Sequence, residues 1–325
     1  MNRKQLNYSV EEINKLLDKI DKIDNNMPIR KFLPTFGIAP WWVDTTTEEK
    51  NKQHIDRYAE LGCEEIPFIV HVIYSDGKYS TSEDLERHLR LYDYILSKNM
   101  KVSLIKFHIH TGISATTILN DKATFFSAYT NILKEWCTTF AGKIEYCTVL
   151  NELGDIYNDS NNIPECLALI NKIKALGYKV SCSFMGESDV FATPQELLNE
   201  LDFLAVNVYP KISEKCENTT YEDSLIAWNA RKPMFNQLVK INKNIIISET
   251  GTQHFWECLS NSGRWDWYNT SQTDGFGMPA ILSIYGLLEG DIKSYILKAY
   301  YWYYDSLYYD ECKELLHHYL GGAKC

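Results

Sequence analysis

Apolar residues along this chain recur with two alternating periods. Short, nearly continuous runs such as Phe68-Ile69-Val70-His71-Val72 and Ile245-Ile246-Ile247 read as strands buried on both faces. Between them lie longer stretches with apolar positions three and four residues apart, the spacing of amphipathic helices. Eight strands are predicted: 33–42, 65–73, 101–110, 143–152, 179–185, 203–209, 244–249 and 297–304. The intervening helices are predicted at 47–61, 82–98, 122–140, 163–176, 194–201, 221–241 and 278–289, with a last helix at 311–320. Several end on Gly or Asn, as in Glu60-Leu61-Gly62 and Ala175-Leu176-Gly177, which is a helix stop. Before the first strand, Ser9 precedes Val10-Glu11-Glu12-Ile13 and then Leu16, Leu17 and Ile20, a capped helix over 8–24 outside the repeat.

Eight strand–helix units in 325 residues fit one closed (β/α)8 barrel, which uses about 250 residues. The expected fold is therefore α/β, a TIM barrel with an extra N-terminal helix. Residues 1–325 are expected to form one domain, with 1–30 as a helical extension. An open doubly wound sheet is the rival, but no GxGxxG or GxxxxGK loop is present to serve one.

The net charge of −10 removes the basic footprint that nucleic acid requires. No apolar run follows Met1, and none elsewhere is long enough to span a membrane, so no signal peptide and no membrane partner are expected. Nine cysteines without CxxC spacing point to free thiols and a reduced, cytoplasmic setting. The sequons Asn218-Thr219-Thr220 and Asn269-Thr270-Ser271 then carry no meaning. Aromatic residues reach 13%, and such rings with polar edges suit sugar binding.

In a barrel the active site lies at the C-terminal ends of the strands. Strand four ends Leu150-Asn151-Glu152 and strand seven ends Ile247-Ser248-Glu249. A carboxylate at the end of a buried strand is costly to desolvate, and two suggest paired-carboxylate chemistry such as glycoside hydrolysis. The alternative is that each glutamate caps the helix after it or pairs with a lysine. On these residues the chain resembles the clan A retaining glycoside hydrolases, with a mannanase-like, family 113-type cast. The resemblance implies Glu152 as acid/base, Glu249 as nucleophile and Asn151 as a partner of the sugar 2-hydroxyl. It also implies that Tyr209 donates to the nucleophile and that Trp302 floors the adjoining subsite.

Strand three ends Lys106-Phe107-His108-Ile109-His110, and strand two carries His71. Lys106, His108, His110 and His71 are expected to bind sugar hydroxyls. A histidine-liganded metal hydrolase on His71, His108 and His110 is the rival reading. Trp41 and Trp42 after strand one, and Trp256 in the long segment after strand seven, are expected to stack on sugar. One departure from the family pattern stands out: no arginine ends strand two, and Arg264 is the candidate substitute. The expected function is a retaining O-glycoside hydrolase acting on a β-linked oligo- or polysaccharide, without metal or other cofactor. A non-catalytic glycan-binding barrel is the alternative from another class.

Overall fold

The computed structural model describes residues 35–39, 47–60, 63–109, 113–210, 221–251 and 291–302. The strands are β1 (Thr35–Ala39), β2 (Phe68–Ser75), β3 (Lys78–Thr81), β4 (Leu104–Ile109), β5 (Tyr146–Val149), β6 (Lys179–Phe184), β7 (Phe203–Asn207), β8 (Asn244–Thr250) and β9 (Ile296–Trp302). They run in the order β1-β9-β8-β7-β6-β5-β4-β2-β3. All pairings are parallel except β2 with β3. Parallel bridges from Gly37 to Glu65 and from Glu65 to Lys101 join the first barrel strand to the second and close the ring. The result is the expected eight-stranded barrel, with β3 as an added antiparallel strand.

Side-chain alternation builds two cores from the same strands. Ile69, Leu104, Tyr146, Phe203, Ala205, Ile246 and Tyr300 pack together inside the barrel. Their sequence neighbours Val70, Ile105, Cys147, Leu204, Ile247 and Tyr301 face outward and join a larger core with the helices. Below the inner apolar layer, Glu65 pairs with Lys298 and accepts from Ser103 and Tyr300, the last at 2.9 Å. This buried polar plug lies at the strand starts, the end of a barrel that serves stability. The mouth at the strand ends is polar again.

Three differences from the sequence expectation have local causes. The β2–β3 hairpin turns at Asp76-Gly77, both with positive φ (52° and 77°), as a two-residue Asp-Gly turn requires. The predicted helix at 221–241 is divided into Tyr221–Asn229, Lys232–Leu238 and a 3-10 turn, with Pro233 in the first turn of the second piece. Strand β5 stops at Val149, three residues short of Glu152. The predicted helices at 8–24, 278–289 and 311–320 lie outside the described residues. No helix among the described residues is long and apolar enough to cross a membrane.

Candidate active site

Glu152 is positioned by a strained turn. After β5 the chain takes left-handed backbone at Leu150 (φ 51°) and Glu152 (φ 54°). Such φ values cost on the order of 1 kcal/mol or more for residues with a Cβ and persist where surrounding contacts enforce them. Here those contacts are visible. The buried Tyr129, on the helix Lys122–Thr139, lets its hydroxyl accept from the Leu150 amide at 2.9 Å, and the Glu152 amide donates to the Ser183 carbonyl at 2.9 Å. The turn brings Asn151 and Glu152 both toward the mouth, where simple alternation would allow only one.

Glu249 is positioned by a bulge. The β7–β8 register shifts between Val206 and Asn207, and the β8–β9 register shifts between Ile247 and Thr250. A bulge re-aims side chains. Consecutive residues Ser248 and Glu249 therefore both reach interior partners. Lys106 Nζ lies 2.6 Å from Glu249 Oε1, and Tyr209 Oη donates to Oε2 at 2.7 Å. Both oxygens thus face donors, and Glu249 is 1% exposed. Tyr209 is itself fixed through its carbonyl, which accepts from Arg231 at 3.0 Å.

A buried polar floor joins the two carboxylates. Lys106 also donates to Ser183 Oγ at 3.2 Å and Asn207 Oδ1 at 3.1 Å. Ser183 Oγ and Asn207 Oδ1 are the hydrogen-bond acceptors of this ammonium, and Glu249 Oε1 is its ion-pair partner. Asn207 Oδ1 further accepts from Ser248 at 2.7 Å, and Asn207 Nδ2 donates to Glu152 Oε1 at 2.6 Å. Burial pushes the Glu152 carboxyl above the usual carboxylate range, the Glu249 charge pushes it further, and the Asn207 hydrogen bond and Lys106 partly oppose them.

Beside this floor, Asn151 Nδ2 lies 3.0 Å from His108 Nδ1, and its buried Oδ1 has no hydrogen-bond partner among the described residues. His71 is held by Glu83, which accepts its amide at 2.6 Å and pairs with its Nδ1. The His71 ring meets the His108 ring edge to face at 5.2 Å. No group of three or more potential metal ligands occurs among the described residues, and His110 lies outside them. Trp302 ends β9, paired with Ala39. Trp41, Trp42, Trp256 and Arg264 lie outside the described residues.

The structure therefore brings Glu152, Glu249, Asn151, Tyr209, His108, Lys106 and His71 into one mouth. It directs Lys106 to Glu249. Sequence reasoning missed Asn207, Ser183, Ser248 and Glu83. Asn207 had a readable signal: it is a polar residue closing the apolar run Phe203-Leu204-Ala205-Val206, in phase with Tyr209. Ser183, Ser248 and Glu83 had none, because their partners come from other strands and from a distant loop.

An eight-stranded parallel barrel with glutamates at the ends of its fourth and seventh strands has the fold of the clan A glycoside hydrolases. No family model matches the chain, and no curated protein matches it. Solved structures do. A family 113 β-1,4-mannanase is similar with TM-score 0.66 and 14% identity over 90% of this chain and 100% of its own. The family 113 β-mannanase of Alicyclobacillus acidocaldarius, in complex with ManMIm, gives 0.62 and 12%, over 90% and 98%. A family 1 β-glucosidase from Thermotoga maritima gives 0.56 and 11%, over 93% and 100%.

Proposed function

We propose that this protein is a retaining glycoside hydrolase acting on a β-linked oligo- or polysaccharide. The observation that carries the reading is the unequal treatment of two neighbouring glutamates. Glu249 is buried with an ammonium on one oxygen and a phenol on the other, an environment for a fixed anion. Glu152 sits at the mouth with its carboxyl pushed up, an environment for a proton donor. A carboxyl pushed toward its acid form beside one held by a cation and a phenol suits the division between acid and nucleophile.

In the reaction, Glu152 gives its proton to the leaving glycosidic oxygen while Glu249 attacks the anomeric carbon. Water, deprotonated by Glu152, then opens the glycosyl ester and regenerates both groups. The unpartnered Asn151 Oδ1 is an acceptor for a sugar hydroxyl, and His108, half-buried beside it, is a second sugar contact. Lys106 supports Glu249 in place of binding sugar. The chemistry uses no cofactor.

β-1,4-Mannan is the first polysaccharide to test, because three of the solved neighbours are named as β-mannanases. Glu152→Ala and Glu249→Ala are each expected to lose most hydrolytic activity on whichever glycan of a β-linked panel the wild type cleaves. Retention of wild-type rates by both variants overturns the assignment.

A further inference from the structure

We infer that Asn207, locked by Lys106, is a positioning residue that decides which oxygen of Glu152 carries the catalytic proton. This rests on the two-glutamate reading above and adds a part to it.

The orientation of the Asn207 amide follows from its surroundings. Its Oδ1 accepts from Lys106 Nζ at 3.1 Å, Ser248 Oγ at 2.7 Å and Ser183 Oγ at 3.2 Å. Turning the amide over would set its NH2 group against an ammonium, which has no lone pair to accept with. Asn207 is 4% exposed and Lys106 is 1% exposed, so water cannot relieve the mismatch. The Nδ2 side must therefore face Glu152, where it donates to Oε1 at 2.6 Å.

A protonated carboxyl has one carbonyl-like oxygen and one hydroxyl oxygen. The carbonyl-like oxygen is the better acceptor, so the Asn207 donor selects Oε1 for it. The proton is left on Oε2, the oxygen Asn207 does not hold. Lys106 thus serves both glutamates: directly as the cation on Glu249, and through Asn207 as the arbiter of the Glu152 proton. When Glu249 is esterified, the same N–H supports the Glu152 carboxylate that must deprotonate water.

Asn207→Asp tests this with an isostere. The new carboxylate keeps its acceptors toward Lys106 and Ser248 but turns an oxygen toward Glu152 Oε1. Glu152 then places its proton on Oε1 to donate to it, away from the leaving group. The wild type and Asn207→Asp are compared on an unactivated β-linked oligosaccharide and on a 2,4-dinitrophenyl β-glycoside of the same sugar. The dinitrophenolate leaves without protonation.

The expected loss in kcat/KM is about a hundredfold on the oligosaccharide, within the range of general acid catalysis, and under about tenfold on the aryl glycoside. The basic limb of the pH profile is expected to move to higher pH, because a like charge now faces Glu152. Asn207→Ala, which cannot crowd the site, should give a smaller loss with the same dependence on leaving group, and it serves if the aspartate variant does not fold. Equal losses on both substrates, or wild-type rates on both, overturn the proposal. Glu152→Ala on the same pair separates the two levels of the argument. If it shows a strong leaving-group dependence while the Asn207 variants show none, only Asn207 is misassigned. If Glu152→Ala is itself blind to the leaving group, Glu152 is not the acid and both fall.

Discussion

At the residue scale, the site is an arrangement of charge among buried side chains. Two carboxyl groups and one ammonium share it. Pairing Lys106 with Glu249 offsets the desolvation of both, which neither could bear alone. That pairing leaves Glu152 to feel burial and the negative charge of Glu249, and both raise its pKa. The sign of the pH dependence follows. With Glu152 as the acid proposed above, activity is expected to hold above the ordinary carboxylate range and to fall as pH rises through the Glu152 pKa. Glu249→Gln removes the second-largest of the raising influences. In that variant the Glu152 pKa, followed by carbon NMR of the carboxyl group, is expected to lie below its value in the wild type. An unchanged or higher value would show that the two groups do not sense one another.

At the element scale, the strands place the chemistry and two irregularities aim it. Alternation along strand three assigns Lys106 and His108 to the inner face, where they are found, and the same period, applied to Phe203, Ala205 and Asn207, would have placed Asn207 there too. It does not show that Leu150 and Glu152 adopt left-handed backbone, because neither residue type favours it. The tether from Tyr129 that enforces the turn comes from a helix about twenty residues away. Nor does alternation allow Ser248 and Glu249 to share a face, since the bulge that permits this depends on the register with β7 and β9. The Asp76-Gly77 turn was legible and marks a hairpin that the strand count passed over. The barrel seam gives a test at this scale. A Cβ on Gly37 would lie 2.6 Å from the Tyr300 ring and 2.8 Å from the Glu65 carbonyl, both part of the closing contact. Gly37→Ala is expected to destabilise the fold by about 1–3 kcal/mol, the usual scale for overpacking, as measured by urea unfolding. A loss below about 0.5 kcal/mol, the scale of neutral surface changes, would mean that the seam has room to spare.

At the scale of the whole molecule, the barrel interior is graded. The ionic plug of Glu65 and Lys298 seals the strand starts, a layer of Tyr146, Phe203, Ile246 and Tyr300 fills the middle, and the Lys106–Asn207 floor carries the carboxyl groups at the top. A stiff apolar layer beneath a polar floor gives side chains fixed by packing on rigid strands, the condition for a preorganised site. Rhythm and strand ends were enough to infer the barrel and the two glutamates. Pairing of Glu249 with a lysine was one of the alternatives the sequence left open, but that Lys106 is that lysine was not legible, because its strand-end position suited a sugar hydroxyl equally well. The histidine on strand two, His71, is held by Glu83 and packs against His108.

The central claim is that Glu249 forms a covalent glycosyl ester. The wild-type protein is incubated with a 2,4-dinitrophenyl 2-deoxy-2-fluoro-β-glycoside of the sugar it cleaves, digested, and its peptides weighed. The fluorine slows both steps and the good leaving group restores the first, so the ester accumulates. One fluoroglycosyl unit on the peptide containing Glu249 is the expected result. A label on Glu152 instead, or steady release of dinitrophenol with no labelled peptide, would contradict the account.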